Sequence, residues 1–589
     1  MVNSLKRFKP RKAFRARKKL VKDKAEIANK QLDRHIFRRF HNWGNAKRFV
    51  ITWVLLISFI ITGLLIQTRL LSSNYQATQF TGGGIYSEGI IGNVKNINPI
   101  FLTENTVDNA ISRLMFSGLF TYDETNNLVP DLAVSYTSDE AAKKYVVQLR
   151  TDARWHDGVR LSADDVVYTY KTIQDTKTQS PLNSTWRGIK IEKTNDSEIT
   201  FILPNSYSPF PHLLTTGIIP KHILKNTEPE QLRSSRFNNQ SPIGSGPFKL
   251  LNIQSREVAN EPAEIVQLVK NGSFYRGEVQ LDGFNMYTYP DKKQIQNALE
   301  KKEINGAPIE LDGQSKLAIN RYNQTSGLYL FLNTTKPNLK EQAFREAIIR
   351  SIEPGKVSAS LGYPVKTVRS PILKGQLGYK IDNNQKGYDI NIANQKLNEL
   401  GWVLKEGDQY LTKDGKELTL EFVSENTPEY LKLSEEIQKQ LATVGIKTNV
   451  TLEDAEQLQQ NRFGSKEYDI LLYAINIGPD PDVYVYWHSS QAEPEAKPGY
   501  NLSLYSNKKA DASLEAGRSR SNPDLRASKY QPFYEAWKND IPAVGFHQPV
   551  IPHTRNIPVN NMKEKTINIT ADRFNNAYQW QINVSQQTE

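Results

Sequence analysis

Residues 417–452 read ELTLEFVSENTPEYLKLSEEIQKQLATVGIKTNVTL, and this stretch decides the class of fold. Leu418, Leu420 and Phe422 alternate with polar residues, which is the period of a strand with one buried face. Leu433, Ile437, Leu441 and Val444 then recur at helical spacing, and Gly445 stands where such a helix would end. Ile446 to Leu452 returns to an extended pattern. Strand, helix and strand follow one another with short connections. Beyond them, Tyr468 to Ile475 (YDILLYAI) is a nearly continuous apolar run, suited to a strand covered on both faces. Upstream, Phe344, Ala347, Ile348 and Ile352 mark another amphipathic helix. The interleaving predicts an α/β architecture.

Outward from that stretch, the chain has 589 residues, enough for several domains at roughly 150 residues each. Hydrophobic residues are 38% and charged residues 23%, which fits a soluble globular protein better than a multi-span membrane protein. There is no cysteine. Disulfides, cysteine-ligated metals, a thiol nucleophile and a lipid attached through cysteine are thereby excluded. The net charge of +12 is local: residues 1–48 hold 17 Lys or Arg against 3 Asp or Glu, and the remainder sums to −2. The basic character is therefore that of a tail and not of a nucleic-acid-binding fold.

Phe49 to Ile66 (FVITWVLLISFIITGLLI) follows the tail, 18 residues without a charge. That is close to the roughly 20 residues a helix needs to cross a bilayer. Lys47 and Arg48 abut it on one side, and Arg69 alone is close on the other. The positive-inside bias predicts residues 1–48 as a basic cytoplasmic tail, 49–66 as a transmembrane signal anchor, and the rest as extracytoplasmic. A cleaved signal peptide would have a shorter basic region and a small-residue cleavage site. A buried soluble helix would show a polar face. The tail is expected to lie against anionic lipid, with RNA binding the alternative. Residues 67–83 read as a stalk, ending in Gly82-Gly83-Gly84.

Across residues 84–560 a series of short motifs follows in order. Asn98-Pro99 precedes Leu114-Met115-Phe116-Ser117-Gly118-Leu119. Then come Pro130-Asp131-Leu132-Ala133, YVVQLR at 145–150, Trp155-His156-Asp157-Gly158, and Ser162-Ala163-Asp164-Asp165-Val166. PIGSGPF at 242–248, Val269-Lys270-Asn271 with Tyr275, and Asn333 with FREAI at 344–348 continue the series. Tyr388-Asp389 with Leu400-Gly401-Trp402, and the segment Leu441 to Ile446, complete it. Together these motifs resemble the extracellular solute-binding proteins, family 5, that serve oligopeptide, dipeptide and nickel ABC importers.

The resemblance implies a type II periplasmic-binding-protein-like α/β fold of the cluster C type, two lobes with an extra third domain, here preceded by one transmembrane helix. Carried over residue by residue, lobe I is expected from 84–121 plus 239–328 plus 545–589, an inserted domain II from 122–238, and domain III from 329–544. The implied function is capture of a peptide or peptide-like solute by hinge closure and delivery to ABC transporter permease subunits. The expected protein is a monomer at the cell membrane, with no cofactor, metal or nucleic acid. An anchored sensor or scaffold with a repurposed cleft is the alternative, and a cell-envelope hydrolase a more distant one.

Physically, most of these motifs read as architecture. Asp157-Gly158 is a turn signal, and Ser162 is placed to cap a helix. His156 is expected to serve the fold. Gly244 and Gly246 permit a tight backbone path and do not form a phosphate loop. Arg345 is expected in an ion pair. No HExxH and no GxSxG occurs, so no catalytic residue is assigned. Ligand contacts are expected at the end of the 468–475 run, where open α/β sheets place their ligands. The candidates there are Tyr473, Asn476, Ile477, Asp480, Asp482, Tyr484 and Trp487, with Trp186 from the inserted domain. Asp480-Pro481 resembles the family's DP pair. Peptide-binding members place a carboxylate three residues before that aspartate, to meet the peptide α-ammonium; here the position is Ile477.

Overall fold

The computed structural model describes residues 19, 21–27, 29–30, 43–74, 78–311, 317–492 and 499–586. The chain divides into two units. In the first, a 32-residue helix spans Trp43–Asn74. Its segment Phe49–Gln67 has a mean hydropathy of 2.7 and none of its side chains is buried. By length and composition this helix can cross a membrane. Of the tail expected at 1–48, residues 19, 21–27, 29–30 and 43–48 are described and the others lie outside the described residues, as do stalk residues 75–77.

The second unit, Phe80–Asn583, is built on three principal sheets. An eight-stranded mixed sheet has the order Thr566–Ile567, Ala318–Gln324, Val550–Arg555, Gly306–Ala307, Ile85–Ile91, Gly283–Tyr289, Glu261–Lys270, Phe248–Val258. Ile85–Ile91 runs parallel to Gly283–Tyr289, with Tyr86 opposite Phe284. A four-stranded antiparallel sheet is formed by Ala133–Ser138, Lys144–Leu149, Glu198–Ile202 and Lys190–Asn195. A five-stranded sheet has the order Lys447–Glu453, Thr419–Glu425, Ile470–Asn476, Ser326–Leu332, Ala543–Gly545.

Residues 417–452 form as their periods require. Thr419–Glu425 and Lys447–Glu453 pair in parallel, joined by the helix Pro428–Thr443. Thr427 caps that helix by accepting from the Tyr430 amide, and Gly445 turns out of it at φ +76°. Leu433, Ile437 and Leu441 pack against Phe422 in one core cluster. The apolar run 468–475 yields the central strand Ile470–Asn476. Ile470 and Leu472 enter the core on one face, and Leu471 and Ile475 enter a second core on the other. Truncating one such leucine to alanine costs about 2–5 kcal/mol.

Ser162 caps the helix Ala163–Gln174, with a reciprocal bond from its own amide to Asp165 at 2.9 Å. His156 receives the Gly244 amide on Nδ1 at 3.1 Å, and its Nε2 lies 3.1 Å from the Gly246 carbonyl oxygen. Burial holds its imidazole down near a pKa of about 4. A Cβ on Gly244 would stand 1.9 Å from the Met115 carbonyl oxygen, which only glycine avoids. Arg345 departs from expectation. Its guanidinium donates to the carbonyls of Leu339, Lys340 and Asp540 at 2.7–2.9 Å, ending helices instead of pairing with a carboxylate.

The chain crosses between the eight- and five-stranded sheets twice, and the two crossings lie side by side. Thr325 is the single residue between Ala318–Gln324 and Ser326–Leu332. Residues 546–549 return the chain from Ala543–Gly545 to Val550–Arg555. The Gln324 amide donates to Pro549 O at 2.8 Å, and the Leu328 amide to His547 O at 2.9 Å.

Candidate functional site

The loop that leaves the central strand Ile470–Asn476 reaches this crossing. Both the Ile477 and Gly478 amides donate to the Thr325 carbonyl at 3.0 Å. Gly478 makes the turn with φ +76°, and its amide also donates to Asn476 Oδ1 at 3.0 Å. The chain then enters Pro479-Asp480-Pro481-Asp482. Asp480 is held in a fork by Arg526, with Nη1–Oδ2 and Nη2–Oδ1 both at 2.8 Å. Asp482 pairs with Arg518 at 3.0 Å. Burial pushes the Asp482 carboxyl above its usual range, and the Arg518 charge only partly opposes this.

This cluster lies on a seam within the second unit. The Arg518 guanidinium sits over the rings of Tyr484 and Tyr207, at 4.3 and 5.2 Å. The Ser208 amide and hydroxyl both donate to the Arg518 carbonyl, at 2.9 and 3.1 Å. His212 Nε2 stands 3.9 Å from Asp480, while its Nδ1 is 3.1 Å from the Tyr122 hydroxyl. Burial lowers the His212 imidazole, so it faces Asp480 neutral near pH 7.

Two cavities flank the seam. One, of 810 Å³, lies beside the crossings and is lined from both sides, by Asn126, Thr325, Lys366, Lys374, Gln376 and Gln548 among others. The second, of 800 Å³, is lined by Arg187, Tyr207, Tyr484 and Arg518 among others. Volumes of this size suit a small organic ligand.

The residues expected from sequence separate into groups. Tyr484 lines the second cavity and stacks on His488 at 4.1 Å. Asp480 and Asp482 come together, each neutralised by an arginine. Asn476 is exposed and Tyr473 half-buried against Phe463, both outside the two linings. Trp186, Trp487 and Ile477 are core residues. Trp186 is 1% exposed and stacks on Tyr170 at 4.0 Å. Trp487 is fully buried on Phe331 at 5.5 Å, and Ile477 joins the same cluster. The large apolar area of these side chains is covered by their own sheets, which leaves none to line a cavity. Arg518, Arg526, Lys366 and Lys374 went unrecognised. Nothing local in sequence marks a residue whose partner lies 46 positions away, as Arg526 does for Asp480.

Comparison with known proteins agrees with this architecture. Residues 127–495 match the model of the bacterial extracellular solute-binding proteins, family 5, middle region. The chain belongs to this family. The oligopeptide-binding protein AppA of Bacillus subtilis is 27% identical over 500 residues, covering 81% of this chain and 89% of its own. The probable D,D-dipeptide-binding periplasmic protein DdpA of Escherichia coli is 25% identical over 418 residues, 68% of this chain and 75% of DdpA. The NikZ crystal structure from Campylobacter jejuni, with Ni(L-His), superposes with a TM-score of 0.66 at 26% identity. It covers 84% of this chain and 99% of NikZ. The AppA structure with a nonapeptide superposes at 0.64 and 24% identity, over 86% and 100%. The fold is thus the periplasmic-binding α/β fold, with one apolar N-terminal helix in addition. Family 5 is a substrate-binding family.

Proposed function

We propose that this chain is a membrane-anchored, extracytoplasmic receptor that closes on a peptide or peptide-like solute and delivers it to an ABC importer. The observation that carries this reading is the paired crossing at Thr325 and 546–549, with an 810 Å³ cavity beside it. Two short adjacent connections between two sheets make a hinge, and a ligand bridging the cavity favours the closed form by its differential affinity. The family membership and the peptide-binding relatives support the solute class.

In this reading lobe I is 84–121 plus 239–328 plus 545–589, domain II is 122–238 and domain III is 329–544. The ligand contacts are the cavity walls, with Asp480, Asp482 and Tyr484 organising the closing seam. The helix holding Phe49–Gln67 remains attached as a signal anchor with the basic tail in the cytoplasm, replacing a lipid anchor and keeping a monomeric receptor near its permease. The chain binds without catalysis; the permease's own ATPase supplies the energy.

The test uses the full chain purified from membranes in detergent. Intact mass should include residues 1–66, and a shorter form would refute the anchor. Native mass spectrometry against a peptide pool should show retained peptides and a raised melting temperature. A chain that retains nothing and shows no thermal shift would refute capture and favour the sensor or scaffold reading.

A further inference from the structure

The cavity beside the hinge has an unbalanced wall. Its lining includes Lys366 and Lys374 and no carboxylate. Both ammonium groups are exposed, and among the described residues neither is ion-paired. Lys366 Nζ makes one long contact, 3.4 Å to Thr566 Oγ1.

Of the four carboxylates within two residues of the lining, two are ion-paired and two accept from backbone amides; Glu564, before Thr566, accepts from the Arg321 amide at 3.2 Å. Asp480, next to the lining residue Pro479, is forked by Arg526. Glu124 is paired with Lys563 at 3.2 Å. Asp123 closes its own turn, accepting from the Thr125 and Asn127 amides at 2.8 and 2.9 Å.

Several neutral polar groups of the wall are committed to the fold. Gln376 donates to Gly478 O at 2.7 Å and accepts from the Leu373 amide at 2.8 Å. Gln548 donates to Gln324 O at 2.8 Å. Asn126 and Asn568 bond each other reciprocally at 3.0 and 3.1 Å. The charged side chains of this lining are therefore the two lysines, and among the described residues neither has an ion-pair partner.

We propose that this cavity receives an anion: it seats the carboxylate of a peptide-like ligand that carries no free amino group, with Lys366 and Lys374 as its counter-charges. A ligand ammonium placed there would meet two like charges and no carboxylate in the lining. The inference rests on the proposed solute capture and specifies its chemistry.

The experiment uses one peptide digest divided in two. Half is acetylated, leaving free carboxylates and no α-amine. Half is amidated at its carboxyls, leaving free amines. The halves are isotopically distinguished, mixed in equal amounts and offered to the full chain in detergent, and retained species are identified by mass. The acetylated acids should be enriched about tenfold, the scale set by two partly exposed ion pairs. The double variant Lys366→Gln, Lys374→Gln should bring that ratio near one while leaving the melting temperature unchanged, since both side chains are exposed. Equal retention of the two halves, or enrichment of the amines, would overturn the anion preference and leave peptide capture standing. An enrichment that survives the double substitution would overturn the assignment to this cavity. Retention of neither half would overturn capture and the preference together.

Discussion

Two clusters of buried charge can be set side by side. The first joins the eight-stranded sheet to the short helix Thr570–Phe574. Glu88 accepts from Arg573 through Oε1, at 2.8 and 3.1 Å, and its Oε2 lies 3.0 Å from His553 Nε2. Relative exposures are 0% for Glu88, 0% for His553 and 1% for Arg573. The second is the seam cluster of Asp480, Asp482, Arg518 and Arg526. There Asp482 Oδ1 and Arg518 Nε are buried and unpartnered. Both carboxylate oxygens of Glu88 are used, and the one buried polar atom of the three side chains without a partner is His553 Nδ1; Glu88 and His553 stand on strands of one sheet, and Arg573 on the short helix Thr570–Phe574. The seam cluster is half-satisfied and faces Ser208 and His212 from a different part of the body. A charge network between a sheet and the helix packed on it stabilises that packing, whereas one spread over a seam makes its energy depend on how the two sides meet.

The sharpest way to break this comparison is Arg573→Met. Removing one partner of a buried pair strands the other, at a cost of about 3–5 kcal/mol. The full chain should lose several degrees of melting temperature, with unfolding of the eight-stranded sheet seen by hydrogen exchange. An unchanged melting temperature would mean that Glu88 is not held by this network.

The second effect is in pH. Burial alone would raise the Glu88 carboxyl, but the charges of His553 and Arg573 prevail and hold it near about 2, against an ordinary 4.5. A carboxyl depressed on folding contributes stability that is complete above its unfolded value and is lost as pH falls through its folded one. The window is therefore pH 4.5 down to 2, worth on the order of 3 kcal/mol. Glu88→Gln should flatten the acid limb of the stability curve in that window. A slope equal to the wild type's would assign the acid sensitivity to other groups.

Next in size is Ile477→Asp. From sequence alone, an acid there is expected to restore recognition of a peptide amine. The side chain is 5% exposed and packed in the core beneath the five-stranded sheet. A carboxylate buried in that apolar cluster would favour its protonated form, costing about 2–4 kcal/mol. The expected result is a lower melting temperature with no gain in peptide retention. A gain in amine-bearing peptides at unchanged stability would mean that residue 477 faces ligand.

The contrast between what was and was not legible has the same physical root. Phe422, Ile437 and Leu471 announce their elements because their partners' positions follow a local period of 2 or 3.6 residues. Ser162 and Gly445 announce a helix start and a helix end because cap chemistry is also local, whereas the bond between His156 and Gly244 spans 88 positions and no period marks it. The seam was readable only in part. Asp480 drew notice through its motif, yet its arginine comes from a distant helix, Pro523–Asp540, by a route no period encodes. Trp186 and Trp487 were misleading for the converse reason. An aromatic near a cleft motif looks the same in sequence whether it lines the cleft or fills the layer behind it.

The smallest expected effect is the one that separates the two clusters most cleanly. Arg518→Ala removes the cation beside Asp482 and the guanidinium stacked on Tyr484 and Tyr207, but leaves the backbone carbonyl that Ser208 uses. Asp482, its carboxyl already pushed up by burial, can take a proton and remain in place. The cost to global stability should be only about 1 kcal/mol, in contrast to Arg573→Met. What should change is the population of the closed seam. The chain contains no cysteine, so a pair introduced at the exposed positions Glu192→Cys and Lys509→Cys reports one distance without background. Spin labels there should give a longer and broader distance distribution in the Arg518→Ala variant than in the parent, at nearly equal melting temperatures. If instead the distance stays fixed and the melting temperature falls as far as for Arg573→Met, the seam is part of the static core, and the two clusters are of one kind.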